Sequence, residues 1–265
     1  MLETLLVVKG HPYEREPFYA IFDEMEDVNW TLVEQPAAQA LFNVEQASQY
    51  DAYVMYDMPG IQFDMVPGSP PHFIEPPDAY KERFLELVKQ GHGFVFLHHA
   101  IAGWPAWAEY ADILGGRFLY MPAELRGRTC PDSGYRHSVT HTISTVGDHP
   151  ILAGVPDSFE ITDELYLYEV FEEDVTPLLV SNHEFVESNF YSAKLAIREK
   201  KMFSNAGWSH DPGSALVGWT REVGKSRIVY LQCGDDPVAY ANPHFRKLSR
   251  MRSAGRARPP ARTLT

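Results

Sequence analysis

Two histidines stand side by side where an apolar run stops, in Gly93-Phe94-Val95-Phe96-Leu97-His98-His99. Imidazole is the side chain whose ordinary pKa suits proton transfer near neutrality, and a nearby carboxylate can orient it and raise its basicity. Other polar residues stand where further strands are predicted to begin or end: His11, Asp57, Asp163-Glu164-Leu165-Tyr166 and Asp235-Asp236. Parallel strands gather such residues along one rim of a sheet, however far apart they lie in sequence. His98 and His99 are therefore the candidate bases, with Glu164 and Asp163 as orienting or acidic carboxylates. As neighbours, the two histidines should point different ways. The same groups would also accept a divalent metal, although no His-x-x-x-His or His-x-His pair occurs among them. Each has a plainer reading: a hydrogen-bonded core histidine, or an acidic turn beside a strand. No serine or cysteine occupies the turn after Leu97, which argues against covalent acyl transfer.

The elements that must hold these residues read as α/β. Phe94–Leu97 suits a strand buried on both faces, and a helix through Trp107, Ala111 and Leu114 follows until Gly115-Gly116. Strands are predicted at Leu5–Lys9, Val28–Val33 and Ala52–Tyr56, separated by helix-length segments, which implies a parallel sheet with crossover helices. The clearest helix carries Tyr80, Phe84, Leu87 and Val88 as a buried stripe and closes at Gly91. Between Met58 and Pro77 lies a proline- and glycine-rich loop, read either as a lid or as ordinary surface. In the second half, His141–Val146, Leu165–Val170, Thr176–Ser181, Ala215–Thr220 and Ser226–Gln232 read as strands with short connections, so antiparallel strands extend the sheet. Residues 182–213 read as irregular, and Asn242-Pro243 starts a last helix with Phe245, Leu248 and Met251 on its apolar face.

The chain of 265 residues carries a net charge of -13, which disfavours nucleic acid and anionic membranes as partners but not a neutral sugar. No stretch is long and apolar enough for a membrane span, and no signal peptide is visible at the start. Cys130 and Cys233 fit no metal or redox spacing, so a cytoplasmic location is expected. Residues 1–252 are expected to form one domain. Residues 253–265 continue a basic, acid-free end that reads as a disordered tail or a basic interaction segment.

The segment Gly91-His92-Gly93-Phe94-Val95-Phe96-Leu97-His98-His99-Ala100-Ile101, with Trp104, Trp107 and Leu114-Gly115-Gly116-Arg117-Phe118, resembles the trehalose-utilisation (ThuA-like) family. So do Asp148-His149-Pro150-Ile151, Asp163-Glu164-Leu165-Tyr166, Val217-Gly218-Trp219 and Tyr240-Ala241-Asn242-Pro243-His244-Phe245. The resemblance implies a flavodoxin-like, class I glutamine-amidotransferase-like three-layer sandwich whose nucleophile position lacks cysteine. It further implies a role in sugar catabolism on a disaccharide or glycoside first oxidised to its 3-keto form by a sugar 3-dehydrogenase. Where the family often has Gly-His-Asp, Gly234-Asp235-Asp236 stands here.

A 3-keto group acidifies the neighbouring C2 proton. His98 or His99 is then expected to abstract it, Glu164 or Asp163 to orient the base or act as the acid, and His11, Tyr166, Trp104, Asp57 and Asp235 to contact the sugar. Glycosidic cleavage and isomerisation share that first step, and neither requires a nucleotide cofactor; a divalent metal stays open. The alternative is a sugar-binding or regulatory protein that keeps the fold without the chemistry. A homo-oligomer is compatible with either.

Overall fold

The computed structural model describes residues 1–63 and 66–249. Ten strands form its principal sheet: β1 (Leu2–Lys9), β2 (Val28–Glu34), β3 (Ala52–Asp57), β4 (Gly93–Leu97), β5 (Gly134–Thr145), β6 (Ser158–Leu167), β7 (Thr176–Ser181), β8 (Tyr191–Ser192), β9 (Leu216–Val223) and β10 (Ser226–Leu231). Across the sheet they run β6-β5-β7-β9-β10-β4-β3-β1-β2, with β8 paired to β5. From β2 to β10 every pairing is parallel, in the strand order of a flavodoxin-like sheet. From β10 to β6 every pairing is antiparallel. The expected α/β sandwich with a parallel half and added antiparallel strands is the observed architecture.

Strand periodicity builds the two outer layers. Leu5, Val7, Tyr53, Met55, Phe94 and Phe96 face one way and pack with Ala47 of α2 (Val44–Ala47), with Tyr80, Phe84 and Leu87 of α3 (Asp78–Gln90) and with Tyr110 and Leu114 of α4 (Ala108–Leu114). Their alternate neighbours Leu6, Val8, Val54, Tyr56, Val95 and Leu97 meet Phe18, Ile21 and Phe22 of α1 (Arg15–Asp23) and Phe245 of the C-terminal helix Pro243–Leu248. Each such side chain contributes roughly 1.5–3 kcal/mol by leaving water. Helix α3 ends where predicted, on Gly91 at φ 94°, a left-handed position that disfavours any side chain.

The antiparallel half departs from the expectation in an instructive way. β5 begins at Gly134 rather than at His141, and β6 begins at Ser158 rather than at Leu165. Asp163 and Glu164 thus lie inside a strand instead of in a turn before one. β5 pairs with β7 only through Ile143, Ser144 and Thr145. Its first half leaves the sheet together with β6 and returns over the C-terminal rim of the parallel strands. Without that return, β6 and β4 would stand about 24 Å apart, five strand spacings at ~4.8 Å each. The 182–213 stretch read as irregular contains β8 and the helix α5 (Ala193–Ile197). Within the 58–77 loop a two-residue ladder joins Ile61–Gln62 to His72–Phe73. No helix among the described residues is long and apolar enough to cross a membrane. Met251 and the basic tail lie outside the described residues.

Candidate active site

His98 opens a 3-10 turn (His98–Ala102) directly after β4, with its backbone at φ 45°. A non-glycine residue in the left-handed region is held there by its surroundings. Its carbonyl accepts the Tyr230 hydroxyl at 3.0 Å, and its Nδ1 lies 2.6 Å from the Gln232 carbonyl. A carbonyl only accepts, so Nδ1 carries hydrogen and Nε2 faces the other polar groups. Around Nε2 stand the Tyr166 hydroxyl at 2.7 Å, Glu164 Oε2 at 3.1 Å and Asp235 Oδ1 at 3.3 Å. Complete burial alone would lower the pKa of His98. Hydrogen bonds and charge from Asp235 and Glu164 outweigh that and raise it well above the ordinary histidine value. His98 is therefore an imidazolium at neutral pH, with no basic lone pair to offer a substrate.

Asp235 is set in place by Asp163. The Asp163 carboxylate accepts the Gly234 amide at 2.7 Å and the Asp235 amide at 3.1 Å, and also the Glu164 amide at 2.9 Å. Burial pushes Asp163 up to about 7, against the pull of His98 and of those amides. Burial likewise opposes ionisation of Asp235, but its bond to His98 prevails and holds it below the usual carboxylate range. Asp163 points away from Glu164, as consecutive residues of a strand must, and positions the loop instead of meeting a ligand.

A cavity of about 320 Å³ opens above this cluster. His11, His137, Glu164 and Tyr166 line it, together with the rings of Tyr120 and Tyr135. Glu164 and Tyr166, two residues apart on β6, share one face. His137 is the residue that the sequence reading missed. Its Nδ1 lies 3.1 Å from Glu164 Oε1, and its side chain is 43% exposed. A β-bulge aims it there: the pairing passes from Arg136↔Leu165 to Val139↔Asp163, so two residues oppose Glu164 alone. Ser138, at φ 54°, takes up the bend.

The remaining predicted contacts do not line the cavity. His99 is buried, donates from Nε2 to the Tyr56 carbonyl at 3.2 Å, and stacks on His11 with ring centroids 4.6 Å apart. Burial and the charges of His11 and His98 lower its pKa strongly, so it stays neutral. Asp57 is fully buried, with Oδ2 accepting Gln35 Nε2 at 2.8 Å, and burial pushes it up to about 7. Trp104 is a core side chain packed near Tyr80. Asp235 reaches the site through His98 and does not border the cavity itself. The predicted set thus divides: His11, Glu164 and Tyr166 meet the cavity, His98 and Asp235 lie beneath it, and His99, Asp163, Asp57 and Trp104 support the structure around it.

Among the described residues, His98, Glu164 and Asp235 are also the one group of three or more whose ligand atoms could hold a metal ion, all lying within 4.8 Å of one another. The Nδ1–H to carbonyl bond of His98 is the kind of outer support that metal-binding histidines use. A cation there would have to displace the Nε2 proton.

The sequence profile described as trehalose utilisation (ThuA) matches residues 6–251. No curated protein matches the chain. Among solved structures, a ThuA-like protein from Parabacteroides merdae superposes with TM-score 0.59 at 17% identity, covering 93% of this chain and 86% of that one. One from Bacteroides uniformis gives 0.58 at 15%, covering 93% and 87%. A cytoplasmic protein from Salmonella typhimurium LT2 gives 0.54 at 12%, covering 93% and 96%. At such identities the structures speak for the fold, while the profile spans nearly the whole chain. The protein belongs to the ThuA, or trehalose-utilisation, family.

Proposed function

We propose that the cavity binds a glycoside oxidised at C3 and that the chain breaks its glycosidic bond by removing the C2 proton. The observation that carries this reading is the lining itself. It offers imidazoles, a carboxylate and three tyrosines, but no serine, threonine, cysteine or lysine among the described residues. A two-carboxylate glycosidase needs a second carboxyl group facing the sugar, and among the described residues Glu164 is the only carboxylate on this wall. What remains is acid–base chemistry on a substrate that already carries an acidic C–H bond.

The geometry redistributes the roles expected from the sequence. His11 is the base, because burial and the neighbouring His98 charge lower its pKa and keep its imidazole neutral at pH 7. Tyr166 donates its hydroxyl to the C3 oxygen; burial, Glu164 and Asp235 keep the phenol protonated. The His98 imidazolium behind it offsets the negative charge that gathers on that oxygen. The C2–H bond breaks, its proton goes to His11, and its electron pair forms the C2=C3 enolate. The enolate then collapses to a C1=C2 enone as the C1–O bond breaks, and His137, paired with Glu164, protonates the departing oxygen. Water added across the enone completes a hydrolysis. Protonation of the enolate from the opposite face would instead give an isomer.

Such a substrate must first be oxidised at C3, so a sugar 3-dehydrogenase precedes this step. Incubation with a 3-keto disaccharide and with simple 3-keto glycosides tests the reading through sugar release and loss of the C2 proton to solvent. Binding of the ketones with neither event would assign the protein to ligand binding alone.

A further inference from the structure

The geometry points to an aromatic aglycone as the group that occupies the outer end of this cavity, an assignment that rests on the keto-glycoside reading of its inner end. A line of aromatic rings leads outward from the polar cluster. The Tyr166 ring lies 4.8 Å from His98, Phe118 lies 5.0 Å from Tyr166, Tyr120 lies 5.3 Å from Phe118, and Phe63 lies 6.0 Å from Tyr120. The cavity is bordered further by Ala193, Ala196 and Ile197, three residues on one face of α5. The polar groups therefore collect at one end of the cavity and the aromatic and aliphatic ones at the other.

The hydrogen-bonding capacity of that outer end is small. The Tyr135 hydroxyl already accepts the Phe203 amide at 3.0 Å. The Tyr120 ring borders the cavity, and its hydroxyl is buried with no partner among the described residues. A second sugar ring would bring several hydroxyls to a wall whose described residues are mostly apolar, and each hydroxyl left dry and unpaired weakens binding. An aryl ring instead gains apolar burial and edge-on or offset contact with Phe118 and Phe63. The chemistry agrees, since breaking the C1–O bond releases a phenol, whose oxygen holds the departing electron pair more easily than an alcohol's and takes one proton.

The test compares phenyl, 4-hydroxyphenyl and methyl 3-keto-glucosides with a 3-keto disaccharide, using turnover and calorimetric binding to the full chain. The assignment predicts kcat/KM for the phenyl compound roughly 10–100-fold above the methyl compound and the disaccharide, the scale on which an apolar pocket discriminates. Ala196→Phe, which fills the slot, should bring the phenyl-to-methyl ratio toward one. Phe118→Leu, which removes a ring from the wall, should lower kcat/KM for the phenyl and 4-hydroxyphenyl compounds more than for the methyl compound and provides a readout if Ala196→Phe does not fold; an equal loss on all three would overturn the assignment. Equal or better use of the disaccharide would overturn the assignment, as would an Ala196→Phe ratio equal to that of the parent. If no ketone is turned over, the keto-glycoside chemistry fails by itself. Calorimetry on unoxidised phenyl and methyl glucosides then decides the aglycone alone: tighter phenyl binding upholds it, and equal binding overturns it.

Discussion

The imidazoles of His11 and His99 stack with their centroids 4.6 Å apart, yet only His11 borders the cavity. His99 holds the floor through its bond to the Tyr56 carbonyl and presents a flat neutral ring. On the proposed chemistry the base is the residue after Gly10. Gly10 sits at φ 104°, and a Cβ there would fall 2.2 Å from the Met58 carbonyl oxygen. No side chain fits between His11 and the loop that follows β3.

Replacing His11 by Ala should lower kcat by about 10²–10⁴-fold, the contribution of a positioned base, with the fold intact by circular dichroism. In the parent protein, kcat/KM should fall on the acid side through a midpoint below 6.5, because burial and His98 disfavour the charged form of His11. A pH–rate profile checks both.

Asp57 makes a prediction about stability. Its folded pKa of about 7 lies above the unfolded value of 3.8, so the folded state binds the extra proton between those limits. Stability should therefore fall as pH rises from about 4 to 7, by at most about 4 kcal/mol from this group. Asp57→Asn keeps an acceptor for Gln35 and removes the charge. It should raise Tm at pH 8 and change it little at pH 4, which thermal melts at the two pH values will show.

Asp163→Asn should cost about 1–3 kcal/mol, since an amide nitrogen cannot accept one of the three backbone N–H groups that the carboxylate holds. Displacement of Asp235 should also weaken the hold on the His98 proton. Urea unfolding measures the first effect. The second is read from the His98 ring proton by NMR, which should exchange faster with solvent.

The His98–Glu164–Asp235 cluster accommodates either a proton or a divalent cation. With the proton in place, dialysis against a chelator should leave Tm and turnover unchanged, and added zinc should inhibit more strongly as pH rises and the proton becomes easier to displace. Loss of turnover to the chelator, restored by one metal per chain, would make the cation the proper occupant.

Much of the parallel half was legible because its signals are local. Phe94–Leu97 is an apolar run between a glycine and two histidines, and the stripe of α3 repeats at helical spacing until Gly91. Glu164 and Tyr166 could be singled out as polar residues where a strand was predicted to begin, although the strand in fact starts at Ser158. His137 could not, because its position depends on a bulge opposite Glu164 and on Ser138 adopting a left-handed backbone, neither of which alters the local hydrophobic pattern. The role of Asp163 was hidden for a similar reason: its partners are backbone amides some 71 residues away, brought close only when β5 and β6 fold back over the rim. His98 and His99 were visible as a pair. Which of them, if either, could act as a base depended on Gln232, Tyr56 and the two carboxylates around them.

Proton NMR of a 3-keto glycoside incubated with the protein in D2O follows the C2 position during turnover. C2 should acquire deuterium in step with glycosidic cleavage, and His11→Ala should abolish both. Cleavage that delivers a 3-keto sugar with its original C2 proton in place would contradict the proposed chemistry.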